Sequence, residues 1–230
     1  MPKLMPTKWS GKEIGVTIGY AFLLLLCYFA SDCLGFFGPF FWVYGVPIML
    51  LVAGIPYFYI AAREQRYGTF TIVGVLFLLY GIVGGVLSNV PYLVCVLIGV
   101  FVPDLVRMAM GYDSFLGTLV SYLVFAIARI GAQINVWVMP EWCHDQAVEE
   151  MGEEYADALI NNNAGALKCV IFLVVVLAAA VVGAYIAKAI LRKPLTKYGM
   201  LKGAAPRKRL PHNTRRTCSR RGTGPSSILL

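Results

Sequence analysis

The chain has 230 residues, of which 59% are hydrophobic and only 14% are charged, and its mean hydropathy is +0.71. A water-soluble domain of this size needs far more polar surface, so the composition excludes a soluble globular protein. The formal net charge of +8 does not indicate a nucleic-acid partner, because eleven of the twenty Lys and Arg residues lie from Arg192 onward, as expected of a cytoplasmic anchor. We therefore expect a protein that is embedded in a lipid bilayer and binds no nucleic acid.

A transmembrane helix needs about 20 apolar residues to cross a hydrocarbon layer of ~30 Å. Six segments of the sequence meet this requirement: residues 12–31, 40–62, 69–88, 91–110, 114–138 and 166–191. The first segment lacks a small-residue cleavage site and is too long for a signal peptide, so we expect it to remain as a membrane span. The sequence predicts an all-α, six-helix membrane domain over residues 1–201 and a basic, disordered cytoplasmic tail over residues 202–230.

The longest polar interruption of the apolar pattern is the segment 141–157. It carries seven carboxylates and neither Lys nor Arg. Lys and Arg are held back in the cytoplasm whereas acidic residues cross more freely, so this segment is predicted to face the outside. Both termini then face the cytoplasm, together with Arg63, Arg66 and Arg107. Helical spacing within the segment predicts either a short helix that caps the outer end or a solvated loop helix with no special role.

A ladder of small residues marks the first apolar segment. Gly11, Gly15 and Gly19 recur every four residues, so one face of that helix presents bare backbone. In membranes such a face lets another helix approach closely. Two alternatives remain open at this point, namely docking of a partner protein on the ladder and packing inside the same chain.

An ionisable residue interrupts the fifth apolar segment. Arg129 is costly within a membrane unless it finds a carboxylate, faces water or reaches the interface, which makes it a candidate for a functional site. Gln133 follows one helical turn later, and Asn135 and Trp137 continue the polar stripe toward the outer end. We predict that these four side chains bind a ligand, with Arg129 attracting an anionic group of it or, alternatively, the carboxylates of 141–157 drawing in a cation. The alternative is a structural ion pair between Arg129 and Asp32.

The outer ends of other segments add further candidates. Asn89, Tyr92 and Asp32 are predicted to lie at the same outer level and are included among the ligand-binding residues, although Tyr is also common in the interfacial aromatic belt. Cys33 and Cys143 are expected to approach the same face. They either form a disulfide or act as small packing residues.

Sequence patterns that support catalysis are absent. The chain has neither HExxH, nor GxSxG, nor a phosphate-binding Gly-Lys-Ser/Thr loop. Its histidines are His144 and His212, and the run Cys143-His144-Asp145 is too small a set of metal-capable side chains to predict a metal site. We therefore expect a protein that is not an enzyme and holds no metal or cofactor.

Four segments resemble those of the MptD, or Trep_Strep, family, whose members are regarded as substrate-binding S components of energy-coupling factor (ECF) transporters. The segments are residues 14–21, 45–50, 151–155 and 191–201. The most specific of them is Met-Gly-Glu-Glu-Tyr at 151–155, taken together with the six-span layout. The resemblance covers residues 10–201 and leaves the tail without a counterpart.

The resemblance implies an S component of an ECF-type ABC importer that captures a small micronutrient near the outer face. It would act with a transmembrane coupling subunit and with two cytoplasmic ATPase subunits that supply the energy. Gly11, Gly15 and Gly19 stand where such proteins contact the coupling subunit. The ligand pocket would lie among the outer loops and the later helices, which adds Glu153 to the candidate ligand-binding residues.

Two functions of other classes stay open as alternatives, a stand-alone secondary transporter and a membrane scaffold. A secondary transporter is expected to have repeated halves and helices broken at the midplane. Pro47 and Pro56 interrupt the second apolar segment, but the sequence has no clear internal repeat. A scaffold would give no reason for Arg129 within a span.

Overall fold

The computed structural model describes residues 9–84 and 89–201. These residues form ten α-helices and one 3₁₀ turn, Gly35–Phe37, and none of them lies in a β-strand. The helices are α1 (Gly11–Leu34), α2 (Pro39–Arg63), α3 (Thr69–Val83), α4 (Val90–Met110), α5 (Phe115–Ala128), α6 (Asn135–Val138), α7 (Pro140–Met151), α8 (Glu153–Asn163), α9 (Ala166–Ile190) and α10 (Arg192–Lys197). The predicted tail 202–230, and residues 85–88 of the predicted third span, lie outside the described residues.

Six of the helices form a closed ring around a shared apolar core. Around the ring, α1 packs against α2, α2 against α9, α9 against α5, α5 against α4, α4 against α3, and α3 again against α1. Helix α2 also contacts α5 across the ring and is the most buried of the long helices. The prediction of an all-α fold is therefore confirmed for the described residues, with Leu24, Leu50 and Phe125 in the core.

Four of the described helices are long and apolar enough to cross a membrane. They are α1 with the turn after it (Gly11–Phe37), α2, α4 and α9, and they agree with the first, second, fourth and sixth predicted segments. The helices at the third and fifth positions are shorter, with 15 residues in α3 and 14 in α5. At ~1.5 Å per residue, these two helices extend over about 21–23 Å, which is less than the ~30 Å of the hydrocarbon layer.

The fifth predicted segment is not one continuous helix, so this part of the prediction is wrong. Helix α5 ends at Ala128, Arg129 caps it, and a turn leads into the four-residue helix α6. Gly131 lies in that turn against α4, where an added Cβ would lie 2.9 Å from Cβ of Cys95 and 3.2 Å from Cα of Tyr92. The chain therefore turns toward α4 after Ala128 instead of continuing as the straight helix that the apolar pattern predicts.

The tightest helix contact of the ring joins α2 and α9. A Cβ added at Gly54 would lie 2.7 Å from the carbonyl oxygen of Gly183, and one added at Gly183 would overlap the carbonyl oxygen of Leu50. Small residues at both positions let the two backbones meet, and such contact gives dispersion energy that lipid cannot supply. Pro47 and Pro56 lie within α2 and do not end it.

Buried charges connect the ends of three helices on the side of the ring where α10 lies. Arg107, which the charge pattern assigns to a cytoplasmic surface, is instead fully buried, as is Asp104. Asp104 accepts hydrogen bonds from the backbone N–H groups of Gly68 (3.1 Å) and Thr71 (2.8 Å) at the start of α3. Arg107 donates a hydrogen bond to the carbonyl oxygen of Ala61 (2.6 Å) near the end of α2.

On the same side, Arg66 ties α1 to the connection between α2 and α3. Its guanidinium lies 2.8 Å from Glu13 and 3.4 Å from Glu64, and it lies over the Trp9 ring at 4.7 Å. Glu13 also completes a capping box with Ser10 at the start of α1. We call this side the basic end. The charged residues that give it the name are Arg63, Arg66, Arg192, Lys193 and Lys197.

The contact between α2 and α9 predicts that Gly183→Ala destabilises the protein. The overlap should cost about 1–3 kcal/mol of the free energy of unfolding, which exceeds the ~0.5–1 kcal/mol that Ala gains over Gly inside a helix. Gly15→Ala is the matched control, since a Cβ at Gly15 meets nothing within 4 Å. In a thermal-unfolding assay of the detergent-purified chain, Gly183→Ala should lower the midpoint and Gly15→Ala should not. Equal midpoints for the two variants would contradict the packing described above.

Candidate functional site

A cavity of about 460 Å³ lies at the end of the ring opposite the basic end. Pockets that hold small organic ligands usually measure about 300–1,000 Å³. Side chains from α1 to α4, the turn between α5 and α6, and helices α7 and α8 form its walls. Because α7 and α8 carry the seven carboxylates of segment 141–157, we call this side the acidic end.

Arg129 lies at the floor of the cavity, where α5 ends. The guanidinium carbon lies 4.1 Å from the ring centroid of Tyr28 and 4.2 Å from that of Phe77, so two aromatic faces enclose the charge. No carboxylate of the described residues lies within 4.0 Å of it, and the alternative of a direct ion pair with Asp32 is therefore wrong. Asp32 instead accepts a hydrogen bond of 2.7 Å from the Tyr80 hydroxyl, and both of these residues line the cavity.

Two amide side chains lie at the same floor, Gln133 in the turn after Arg129 and Asn135 at the start of α6. Gln133 and Asn135 line the cavity and are 4% and 1% exposed. The amide nitrogen of Asn135 donates to the carbonyl oxygens of Gly131 (3.2 Å) and Ala132 (3.1 Å). The oxygen atoms Oε1 of Gln133 and Oδ1 of Asn135 are buried and have no hydrogen-bond partner among the described residues. Such acceptors are costly to leave unpaired.

Asn89 and Tyr92 contribute the start of α4 to the cavity wall. The side-chain oxygen of Asn89 accepts a hydrogen bond of 2.9 Å from the backbone N–H of Tyr92 and so caps the helix. Six of the eight predicted ligand-binding residues thus lie around one cavity: Asp32, Asn89, Tyr92, Arg129, Gln133 and Asn135. Ligand binding by these residues stays a prediction.

The other two predicted residues lie outside the cavity. Trp137 packs its ring against Phe172 at 5.2 Å, and its indole N–H donates to the carbonyl oxygen of Asn163 (2.8 Å). These contacts fasten α6 to α8 and α9. Glu153 lies exposed at the start of α8. The polar stripe predicted over 129–137 requires a continuous helix. Because α5 ends at Ala128, Trp137 lies on the separate helix α6 and packs against α9 instead of lining the cavity.

Segment 141–157 forms most of two helices rather than one short helix, and they cover one side of the cavity. Gly152 separates α7 from α8 with a φ of 95°, a conformation that favours glycine. Trp142, Gln146 and Glu150 line the cavity from successive turns of α7. The Tyr155 hydroxyl donates to the carbonyl oxygen of Gly35 (2.9 Å) and so attaches α8 to the turn after α1. Sequence reasoning missed the wall residues of α7, although their spacing of four was available as a signal.

The cysteine and histidine candidates of the acidic end have structural surroundings. Cys33 and Cys143 both line the cavity as free thiols, so they do not form a disulfide here. Burial raises the pKa of the Cys143 thiol to about 11, which keeps it protonated at neutral pH. His144 contacts Asp157 at 3.1 Å and Asp145 at 3.7 Å on the outer surface of α7.

Residues 12–197 match the family model described as "Hypothetical bacterial integral membrane protein (Trep_Strep)". The chain belongs to the Trep_Strep family. It is accordingly a multi-pass protein of a bacterial cell membrane, as its long apolar helices also indicate. A search of curated proteins and a search of solved structures each gave no match. The family resemblance drawn from four segments is thus confirmed, while the role of an S component stays a prediction.

The glycine ladder of this Trep_Strep protein faces away from the rest of the chain. A Cβ added at Gly11, Gly15 or Gly19 would meet nothing within 4 Å. The alternative that the ladder packs inside the described part of the chain is therefore wrong. Gly19 also lines a shallow apolar groove that Tyr20, Leu23 and the side chain of Arg63 border.

The hydrogen bond from the Tyr155 hydroxyl to the carbonyl oxygen of Gly35 is expected to limit how readily the cavity opens. Tyr155→Phe removes the hydrogen bond to Gly35, which should raise the reaction rate of the buried Cys143 with a maleimide about two- to tenfold, as expected for the loss of ~0.5–1.5 kcal/mol. Mass spectrometry of the labelled peptide gives the rate. Tyr67→Phe, at the basic end, is the matched control and should leave the rate unchanged. An unchanged rate in Tyr155→Phe would contradict the role of this contact.

The same assay tests the burial of Cys143. Only the thiolate reacts, and the pKa of this thiol is raised to about 11. In the unsubstituted protein the labelling rate should therefore keep rising about tenfold per pH unit up to that pH. A plateau near the ordinary cysteine pKa of about 8.5 would show that the thiol faces water.

Proposed function

We propose that this Trep_Strep protein is the substrate-binding S component of an ECF-type importer. The observation that carries the proposal is the separation of two features along α1. The cavity, with Asp32 in its wall, is of ligand size and lies at one end of the helix, and the open ladder at Gly11, Gly15 and Gly19 lies at the other. The 13 residues from Gly19 to Asp32 correspond to about 20 Å of helix.

The charges support an orientation with the cavity outside the cell. The basic end carries Arg63, Arg66 and the cations of α10, and the acidic end carries the carboxylates of α7 and α8. A cytoplasmic basic end follows the positive-inside bias and places both termini in the cytoplasm. In this arrangement all six helices of the ring cross the membrane, and the short α5 completes its crossing through the turn and α6.

The ladder supports a contact with a transmembrane coupling subunit. Bare backbone at Gly11, Gly15 and Gly19 leaves room for a partner helix, and small residues of this kind drive helix association in lipid. The neighbouring groove offers Tyr20 and Leu23 for further apolar contact. A partner on this face would reach the basic end, where cytoplasmic ATPase subunits would bind in turn.

The partner subunits, in this proposal, supply the energy of transport. The chain itself is not an enzyme; it captures a small micronutrient through the cavity residues and hands it over. A ligand can shift a conformational equilibrium only by its differential affinity for the two states. Because Arg129 and Gln133 lie on the α5–α6 turn while Gln146 and Glu150 lie on α7, a ligand that touches both sides would stabilise the closed cavity.

Copurification tests the proposal. The tagged chain, isolated from its own bacterium in mild detergent, should retain a coupling subunit and two ATPase subunits. Gly15→Leu should remove these partners without changing thermal unfolding, because the new side chain fills the space for the partner helix. Val170→Leu, at an exposed site of α9, is the matched control and should retain them.

Two outcomes would contradict the proposal. Partners that remain bound to Gly15→Leu would exclude the ladder as the interface. If the purified chain alone drove uptake into ATP-free vesicles under an ion gradient, the protein would be a secondary transporter instead.

A further inference from the structure

We infer that the cavity takes a ring-bearing organic cation. The inference rests on the proposed function, because it names the ligand class of the same cavity. It is drawn from three features of the walls, which are their charge, their aromatic faces and their unpaired acceptors. Each of these favours a positively charged ligand with N–H groups over an anionic one.

The charge of the cavity is negative apart from one enclosed cation. Its described lining contains two carboxylates, Asp32 and Glu150, and one cation, Arg129. Six further carboxylates lie on α7 and α8 outside the cavity lining, and the two helices contain no Lys or Arg. Clefts lined by one sign of charge concentrate the field and enrich ligands of the opposite sign. Cations are therefore enriched at this end of the protein and anions are repelled.

Two aromatic rings enclose the charge of Arg129, while its Nε atom has no hydrogen-bond partner among the described residues. Its guanidinium lies between Tyr28 and Phe77, with both ring centroids within 4.2 Å of the guanidinium carbon. Cation–π contacts of this kind stabilise a desolvated charge by about 2 kcal/mol. Neither Asp32 nor Glu150 has a basic partner within 4.0 Å among the described residues, so both carboxylates of the lining contribute negative charge to the cavity.

Aromatic faces give the cavity its shape. Trp42 of α2, Trp142 of α7 and Tyr155 of α8 line it, and Phe29 and Phe36 add faces from α1 and the turn after it. Aromatic faces attract cations through the ring quadrupole and also stack on flat rings. Combined with carboxylates, such walls suit a cation that carries a planar ring better than a small inorganic ion.

Two buried acceptors at the floor favour a ligand that carries hydrogen-bond donors. Oε1 of Gln133 and Oδ1 of Asn135 have no hydrogen-bond partner within the described ranges, and both residues are more than nine-tenths buried in the cavity wall. An ammonium, amidinium or ring N–H group pairs with such oxygen atoms, whereas a carboxylate ligand has no hydrogen to donate. Among the described residues, Nε of Arg129 is the one unpaired donor at the floor, so the unpaired acceptors outnumber it by two to one and the floor favours a ligand that donates hydrogen bonds.

Three probes of matched shape test the inference. Benzamidine, benzamide and benzoate share one ring and differ in charge. With the full chain in nanodiscs, quenching of tryptophan fluorescence and calorimetry should both give benzamidine a dissociation constant at least about tenfold lower than that of benzoate, with benzamide between them. Benzoate as the tightest of the three, equal affinities, or binding by none of the three would overturn the inference.

Two variants test whether the preference for benzamidine over benzamide comes from the carboxylates that line the cavity. Asp32→Asn keeps an acceptor for the Tyr80 hydroxyl but removes the charge, and Glu150→Gln removes the charge at the rim. Each should reduce the preference for benzamidine over benzamide about threefold or more. Glu154→Gln removes an equal charge from an exposed position of α8 outside the cavity lining and should leave the preference intact.

The assay is independent of the proposed transport role. It uses the chain without partner subunits, so a failed copurification would remove the S-component role and leave the charge preference standing. Conversely, a preference for benzoate in a chain that retains its ATPase subunits would overturn the ligand class alone. A preference that Glu154→Gln abolishes as strongly as Asp32→Asn would also overturn it, since the effect would then come from the overall field.

Discussion

The enclosure of one arginine in an apolar interior is the constraint on which the architecture of the acidic end depends. An ionised guanidinium within a membrane domain is costly unless its surroundings compensate. Here the faces of Tyr28 and Phe77, on α1 and α3, supply that compensation for Arg129. Helix α5 ends at the residue before it, and the chain turns beneath the cavity before α6 begins. The floor of the cavity, with the buried oxygen atoms of Gln133 and Asn135, is a consequence of this turn.

The two ends of the ring differ in what their polar groups surround. Buried side-chain atoms without a hydrogen-bond partner occur at both ends, among them Oδ1 of Asp104 and Nε of Arg107 at the basic end. At the basic end Asp104 and Arg107 are fully buried, and their hydrogen bonds join the ends of α2, α3 and α4. At the acidic end the unpaired acceptors, the carboxylates and the aromatic rings surround an open volume. The first arrangement is typical of a rigid framework and the second of a binding site. Under the proposed S-component role, a ligand that closes α7 against the α5–α6 turn would change only the second.

Much of the fold follows from hydropathy, but the site follows only in part. Helices α1, α2, α4 and α9 lie where the apolar runs predict them, because length and composition determine a membrane span. The end of α5 at Ala128 could not be predicted, since it depends on aromatic faces and on a close contact with α4 that lie far away in sequence. For the same reason the sequence pattern groups Trp137 with the cavity residues, whereas its ring packs against Phe172 outside the cavity. The glycine ladder of α1 is compatible with an inner or an outer face, and only the three-dimensional packing distinguishes them.

In the proposed orientation, the cavity and its acidic wall of α7 and α8 face the outside of the cell. The most direct test is to replace Glu150 at the rim by cysteine and to treat intact bacteria with a membrane-impermeant maleimide. If the cavity faces outward, the reagent labels Glu150→Cys on intact cells above the level of the unsubstituted chain. Labelling that occurs only after the cells are broken open would place the cavity on the cytoplasmic side and exclude this orientation.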